Sequence, residues 1–152
     1  YFDMELSAAL PAEEVAAALA RSVKGGFAVR GVRRIPGFFP SLDSTINVAS
    51  YEIEADFPGD AARRLADLLA RREIVVEKIK ESGVERVDAR PLIVRMTLAG
   101  PRRLELTLRF GPKRTVKPEA LLREWLGAPP EGALIRRSGL YSETSAGELM
   151  TP

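Results

Sequence analysis

The sequence predicts an α+β fold, an antiparallel sheet with helices on one face, and three observations carry that expectation. Short runs alternate apolar and charged residues at period two, runs with four-residue apolar spacing lie between them, and glycine or proline marks most junctions. The chain has 152 residues, 45% of them hydrophobic and 29% charged, which is enough apolar material for a real core without a metal or disulfide.

The elements follow in order. Phe2, Met4 and Leu6 alternate with Asp3, Glu5 and Ser7, the period of a half-buried strand. Pro11 then suits a first helical position, Glu13 and Glu14 suit the positive helix start, and Val15, Leu19 and Val23 recur along one face until Gly25-Gly26. Residues 27–35 read as a basic strand carrying Arg30 and Arg34. Residues 1–36 are therefore expected to be a partial β-α-β unit. The chain opens on Tyr1 in an apparent strand with no initiating Met, so this unit reads as the second half of a truncated ferredoxin-like domain. Residues 36–41 (Pro-Gly-Phe-Phe-Pro-Ser) break regular structure and open a linker over 37–49.

A second domain is expected over 50–141. Tyr51, Ile53 and Ala55 alternate with Glu52, Glu54 and Asp56, and Asp60 can cap a helix whose Leu65, Leu68 and Leu69 form a stripe with Arg63, Arg64, Arg71 and Arg72 outside. Residues 74–80 and 84–88 read as a strand and a short partner across Glu81-Ser82-Gly83. Val94, Met96 and Leu98 pair with Leu104, Leu106 and Leu108 across Ala99-Gly100-Pro101. Pro118 opens a helix with Leu121, Leu122, Trp125 and Leu126, closed by Gly127, and residues 133–141 form the last strand. The order β-α-β, middle hairpin, β-α-β is the ferredoxin-like split arrangement. Residues 142–152 show no periodicity and are expected to be a flexible tail.

Composition narrows the function. With no Cys and no His, thiolate sites, the commonest metal ligands and the commonest general base are missing, so catalysis by this chain alone is disfavoured. No run approaches the roughly 20 apolar residues of a membrane span, and no signal peptide opens the chain, so a cytoplasmic location without membrane association is expected. The net charge is only +2, but residues 101–140 hold nine basic residues (Arg102, Arg103, Arg109, Lys113, Arg114, Lys117, Arg123, Arg136, Arg137) against four acids (Glu105, Glu119, Glu124, Glu131). That excess invites a polyanion, although solvated faces of strands and a helix would account for it equally.

Several segments resemble a known family. They are the opening Tyr1-Phe2-Asp3-Met4-Glu5-Leu6 with Leu10-Pro11-Ala12-Glu13-Glu14-Val15, Ile74-Val75-Val76-Glu77-Lys78, Val87-Asp88-Ala89-Arg90-Pro91-Leu92-Ile93, Lys117-Pro118-Glu119-Ala120-Leu121-Leu122, and Arg136-Arg137-Ser138-Gly139-Leu140-Tyr141. In this order they resemble the radical-SAM-linked protein family, a domain family of unknown function, over nearly the whole chain. The resemblance implies a radical SAM protein or domain of the cobalamin-binding type as partner, and an RNA-related role by association. It also implies a basic N-terminal region that this chain would follow. An iron-sulfur cluster needs cysteine ligands, so cluster and SAM are expected only on the partner or a fused domain, and no cofactor in this chain.

Two groups of residues are candidates for a site. Asp88 and Arg90, the latter held extended before Pro91, could present a charged fork to phosphate or carboxylate, or could simply stabilise a turn. Arg109, Lys113, Arg114, Arg136 and Arg137, with Arg90, are candidates for RNA or anion binding, and Phe110 and Tyr141 for base stacking, against the ordinary reading of strand aromatics as core. Strand alternation places Arg136 and Arg137 on opposite faces. No residue is assigned a catalytic or metal-binding role. The expected function is an accessory module that binds RNA or presents substrate to the partner. The competing reading is a protein-docking domain without nucleic-acid affinity, using a sheet edge or Phe38 and Phe39.

Overall fold

A computed structural model of the chain describes residues 2–80, 83–111 and 114–151, with Lys80 described by its backbone alone. The chain divides into two compact units, one ending at Thr45 and one beginning at Ile46.

The described residues of the first unit include the helices α1 (Ala12–Ser22) and α2 (Leu42–Thr45). Helix α1 starts just after Pro11, whose carbonyl accepts the Val15 N–H at 3.2 Å, with Glu13 and Glu14 in its first turn and Arg21 in its last. Helix α2 begins where the Leu42 N–H donates to Asp3 Oδ2 at 2.6 Å. The strands expected at 2–7 and 27–35 do not form: neither segment carries regular secondary structure. Alternation marks a face that could be buried, but a strand also needs a neighbour for its N–H and C=O groups. Neither segment finds one among the described residues, and Phe2, Met4 and Phe27 stay exposed.

The second unit contains β1 (Val48–Glu54), α3 (Ala61–Leu69), β2 (Val75–Lys80), β3 (Gly83–Asp88), β4 (Ile93–Gly100), β5 (Arg103–Arg109), α4 (Pro118–Leu126), β6 (Leu134–Glu143) and β7 (Leu149–Met150). Its main sheet has the order β4-β5-β1-β6-β7, antiparallel at every pair. β1 and β4 run parallel on either side of β5, and β5 and β6 run parallel on either side of β1. With α3 and α4 as the two crossovers, this is the ferredoxin-like split β-α-β arrangement.

The strand that closes the first β-α-β is β4, not the 74–80 run that follows α3 directly. A tight turn at Pro101-Arg102 forces β4 and β5 together, with Met96 opposite Leu106 and Leu98 opposite Leu104. The β2–β3 hairpin forms a separate two-stranded sheet. The last strand runs two residues beyond Tyr141, and the segment expected to be a flexible tail returns as β7, pairing Ser142 with Met150 and Glu143 with Leu149. Gly147, at φ 82°, supplies the left-handed turn residue between them.

The core lies between the sheet and the helices. Ile53, Met96, Leu104, Leu106 and Leu108 from the sheet meet Leu65 and Leu68 of α3, Leu121, Leu122 and Trp125 of α4, and Ile74 and Val76 at the hairpin base. Each such side chain contributes about 1.5–3 kcal/mol by leaving water. Trp125 packs at 5.4 Å from Phe57 between ring centroids. Helix α4 stops where Gly127 takes φ 86° and returns its N–H to the Arg123 carbonyl at 2.8 Å. With the helices and core on one side, the opposite face of β4, β5, β1 and β6 carries the polar half of each alternation.

Candidate functional site

Antiparallel register fixes which side chains share that outer face, because directly opposed residues point the same way. Glu52 of β1 lies opposite Glu105 of β5 and Arg136 of β6, Thr97 lies opposite Glu105, and Ser50 lies opposite Thr107 and Gly139. Two opposed carboxylates repel, and arginines from three strands offset this. Arg103 lies 3.3 Å from Glu52 and 3.7 Å from Glu105, Arg95 lies 3.4 Å from Glu105, and Arg136 pairs closely with Glu52. The result is a chain of alternating charge across four strands. The hydrogen bond from Arg136 holds the Glu52 carboxyl below its ordinary range and raises Arg136 itself. Beside the chain, Ser50 Oγ and Thr107 Oγ1 share a hydrogen bond of 2.9 Å. A shallow cavity of ≈ 130 Å³ opens among Ser50, Glu52, Arg95, Glu105, Thr107 and Ser138.

The aromatic element of this face is Tyr141. Its ring lies over Gly139, two residues earlier on β6, so that a Cβ on Gly139 would come within 2.6 Å of Tyr141 Cζ. Strand alternation puts Arg137 opposite Tyr51 on the helix side, away from Arg136, and the register shift at Ser138 returns Gly139 and Tyr141 to the face of Arg136. There burial raises the Tyr51 hydroxyl pKa, Arg137 opposes that rise and Glu119 adds to it.

Arg109 takes a different role at the end of β5. Its Nε and Nη2 both donate to Glu143, at 2.6 Å each, and its Nη1 donates to the Pro91 carbonyl at 3.2 Å. The Glu143 N–H in turn donates to Asn47 Oδ1 at 2.8 Å. This fork ties β5, β6 and the turn before β4 together. It lowers the Glu143 pKa and raises that of Arg109.

Of the residues singled out from sequence, Arg109, Arg136 and Tyr141 stand on the outer face, and Arg137 on the other. Phe110 is half-buried and donates its N–H to the Asn47 carbonyl at 2.7 Å. Arg114 is exposed and exchanges main-chain hydrogen bonds with Gly111; Lys113 lies outside the described residues. Asp88 Oδ1 accepts the N–H groups of Ile74 at 3.0 Å and Arg90 at 2.9 Å, so it holds the hairpin base and the 3₁₀ turn at Arg90–Leu92 through the main chain. Sequence reasoning did not name Arg95, Arg103, Glu52 or Glu105 as site residues. Alternation places each on a wet face, but their convergence depends on strand order.

Among the described residues no group of three or more acidic, histidine or cysteine side chains could hold a metal ion, and no helix is long and apolar enough to cross a membrane. No curated protein and no solved structure matches the chain. A family model does match, over residues 1–118, and its description is an uncharacterized protein conserved in bacteria. The chain therefore belongs to the DUF2344 family.

Proposed function

We propose that the chain is a non-catalytic module that binds single-stranded RNA on the outer face of its ferredoxin-like sheet, in the service of a radical SAM protein or domain that carries the cluster and SAM. The observation behind this reading is the combination, on one open face, of a tyrosine ring laid over Gly139 with Arg95, Arg103 and Arg136. A flat ring offers a surface for a base, and guanidinium groups track a phosphate backbone.

The ion pairs do not lock these arginines away. Their side chains are 50–68% exposed, and exposed pairs contribute little, so a phosphate can take the place of a carboxylate. Glu52 and Glu105 oppose a polyanion, and the affinity expected is modest and steeply salt-dependent.

The test is fluorescence anisotropy with a labelled single-stranded RNA at low and moderate salt. Binding should weaken as salt rises, weaken by about tenfold or more in a double Arg95→Glu, Arg136→Glu variant, and weaken by about 1–3 kcal/mol in Tyr141→Ala. Glu52→Gln should tighten it. Absence of binding, or binding indifferent to all four changes, overturns the reading.

A second reading is favoured by one observation in the first unit. Phe38 and Phe39 are 84% and 58% exposed, with ring centroids 5.2 Å apart. An exposed aromatic pair suits a protein contact. A chain that ignores RNA but loses its radical SAM partner on Phe38→Ser, Phe39→Ser substitution would be a docking domain.

A further inference from the structure

Among the described residues, strand β2 pairs along one edge only, with β3. In an antiparallel ladder, successive residues direct their N–H and C=O groups alternately to the two edges. The Ala89 N–H bonds the Ile74 carbonyl at 2.7 Å, and the register opposes Val76 to Val87 and Lys78 to Glu85. The main-chain groups of Ile74, Val76 and Lys78 therefore serve the β3 edge. Those of Val75, Glu77 and Ile79 point away from it and have no partner among the described residues.

A groove of ≈ 430 Å³ is lined by Val75, Val76 and Glu77 of β2, Arg86 of β3, and Ala120, Arg123 and Glu124 of α4. We propose that this groove takes an extended peptide segment of a partner protein, which adds a third strand to the open edge of β2. Only an extended chain offers N–H and C=O groups at the two-residue repeat this edge presents; a helix satisfies its own.

The lining also specifies side chains. Val75, Val76 and Ala120 give the groove an apolar floor. On its rim Glu77 is paired with Arg86 at 3.7 Å and Glu124 with Arg71 at 2.8 Å. Arg123 is exposed and has no carboxylate within ion-pair distance among the described residues. The occupant that fits carries apolar residues at alternate positions and an acidic residue to meet Arg123. A two-stranded hairpin is marginal by itself, so a third strand would order it as well. None of the outer-face residues of the RNA reading takes part, so the two proposals stand or fall separately.

The test selects a phage-displayed library of random peptides, roughly ten residues long, against the full chain, then titrates the synthesised peptides while following amide exchange. The recovered sequences should alternate apolar residues with an acidic one, and binding should slow exchange of the Glu77 amide by about tenfold or more. Glu77→Pro removes an edge donor without touching a bond to β3, and Ala120→Trp fills the groove from the helix. Arg123→Glu, at an exposed site, should turn the preference away from acidic peptides. Each change should weaken binding by about tenfold, or about 1.4 kcal/mol. No peptide recovered above background, unchanged Glu77 exchange, or full binding by all three variants overturns the proposal. So does self-association of the chain through the same amides, which would give the edge to a second copy.

Discussion

In the main sheet the central strands β5 and β1 are paired on both edges and carry a core on one face, whereas among the described residues each strand of the β2–β3 hairpin is paired on one edge and buries little beyond Val76. Both regions show the same alternation in sequence. The difference teaches that periodicity reports which side chains share a face, while the number of partners a strand acquires depends on turns and on what lies opposite. Stability and openness are distributed accordingly.

The largest test of that contrast is a pair of truncations. Leu121 is fully buried against the sheet and Ile79 is 78% exposed on the hairpin. Leu121→Ala should cost about 3 kcal/mol in urea unfolding, in line with large-to-small core changes, and Ile79→Ala less than about 0.5 kcal/mol. Comparable losses at the two sites would mean that the hairpin is as tightly packed as the sheet.

Next comes the joint between the regions. Asp88→Ala leaves the Ile74 and Arg90 N–H groups without their acceptor and should cost about 2 kcal/mol. Asp88→Asn keeps a side-chain oxygen and should recover most of that. Amide exchange should locate the damage: fast at Val76 and Lys78, unchanged at Ile53 and Leu106. Uniform loss across both sheets would show that the hairpin unfolds only with the core.

How far the sequence disclosed this arrangement depends on the kind of information each element needed. Helix α4 was legible because its start and stop are local: Pro118 fits a first turn and Gly127 a left-handed end. The outer-face alternation was legible for the same reason. Strand order was not, since nothing within residues 74–80 says that β4 will displace them from the sheet. The strands expected at 2–7 and 27–35 had the right pattern and no partner strand among the described residues. The charge chain was hidden for a related reason. Glu52, Arg95, Arg103 and Glu105 lie far apart in sequence and meet only through the pairings of β1, β4 and β5. Asp88 was visible as part of a turn, but its bonds run to main-chain N–H groups and not to the Arg90 fork.

A third expectation concerns pH and belongs to the main sheet alone. The Arg109 hydrogen bonds hold the Glu143 carboxyl below its ordinary value of 4.5. The folded chain therefore releases this proton more readily than the unfolded chain. The resulting stabilisation is complete above the unfolded value and is lost as pH falls through the folded one. As pH falls below that ordinary value the urea midpoint should drop, and Glu143→Gln should remove part of that dependence while costing about 1 kcal/mol at neutral pH, the exposure of Arg109 keeping the figure low. Exchange in the hairpin should not follow the Glu143 titration. A slope unchanged by the substitution would assign the acid sensitivity to Glu52 and Asp60, whose carboxyls are also lowered by arginine hydrogen bonds.

The smallest effect probes the outer face itself. Replacing Gly139 by Ala puts a Cβ into the space of the Tyr141 ring, which can swing aside because it is the end of a side chain. Ala in a strand also regains about 0.5–1 kcal/mol of backbone entropy relative to Gly. These terms oppose each other, and the net change in stability should stay within about 0.5 kcal/mol. A double-mutant cycle with Tyr141→Ser separates them, because without the ring only the gain remains. The coupling between the two sites should be about 0.5–1 kcal/mol, the size expected for residues in contact. If it is zero, the tyrosine does not rest on Gly139 in solution, and the stacking surface invoked for RNA is absent. If it is present, Gly139→Ala should weaken RNA binding more than it alters stability.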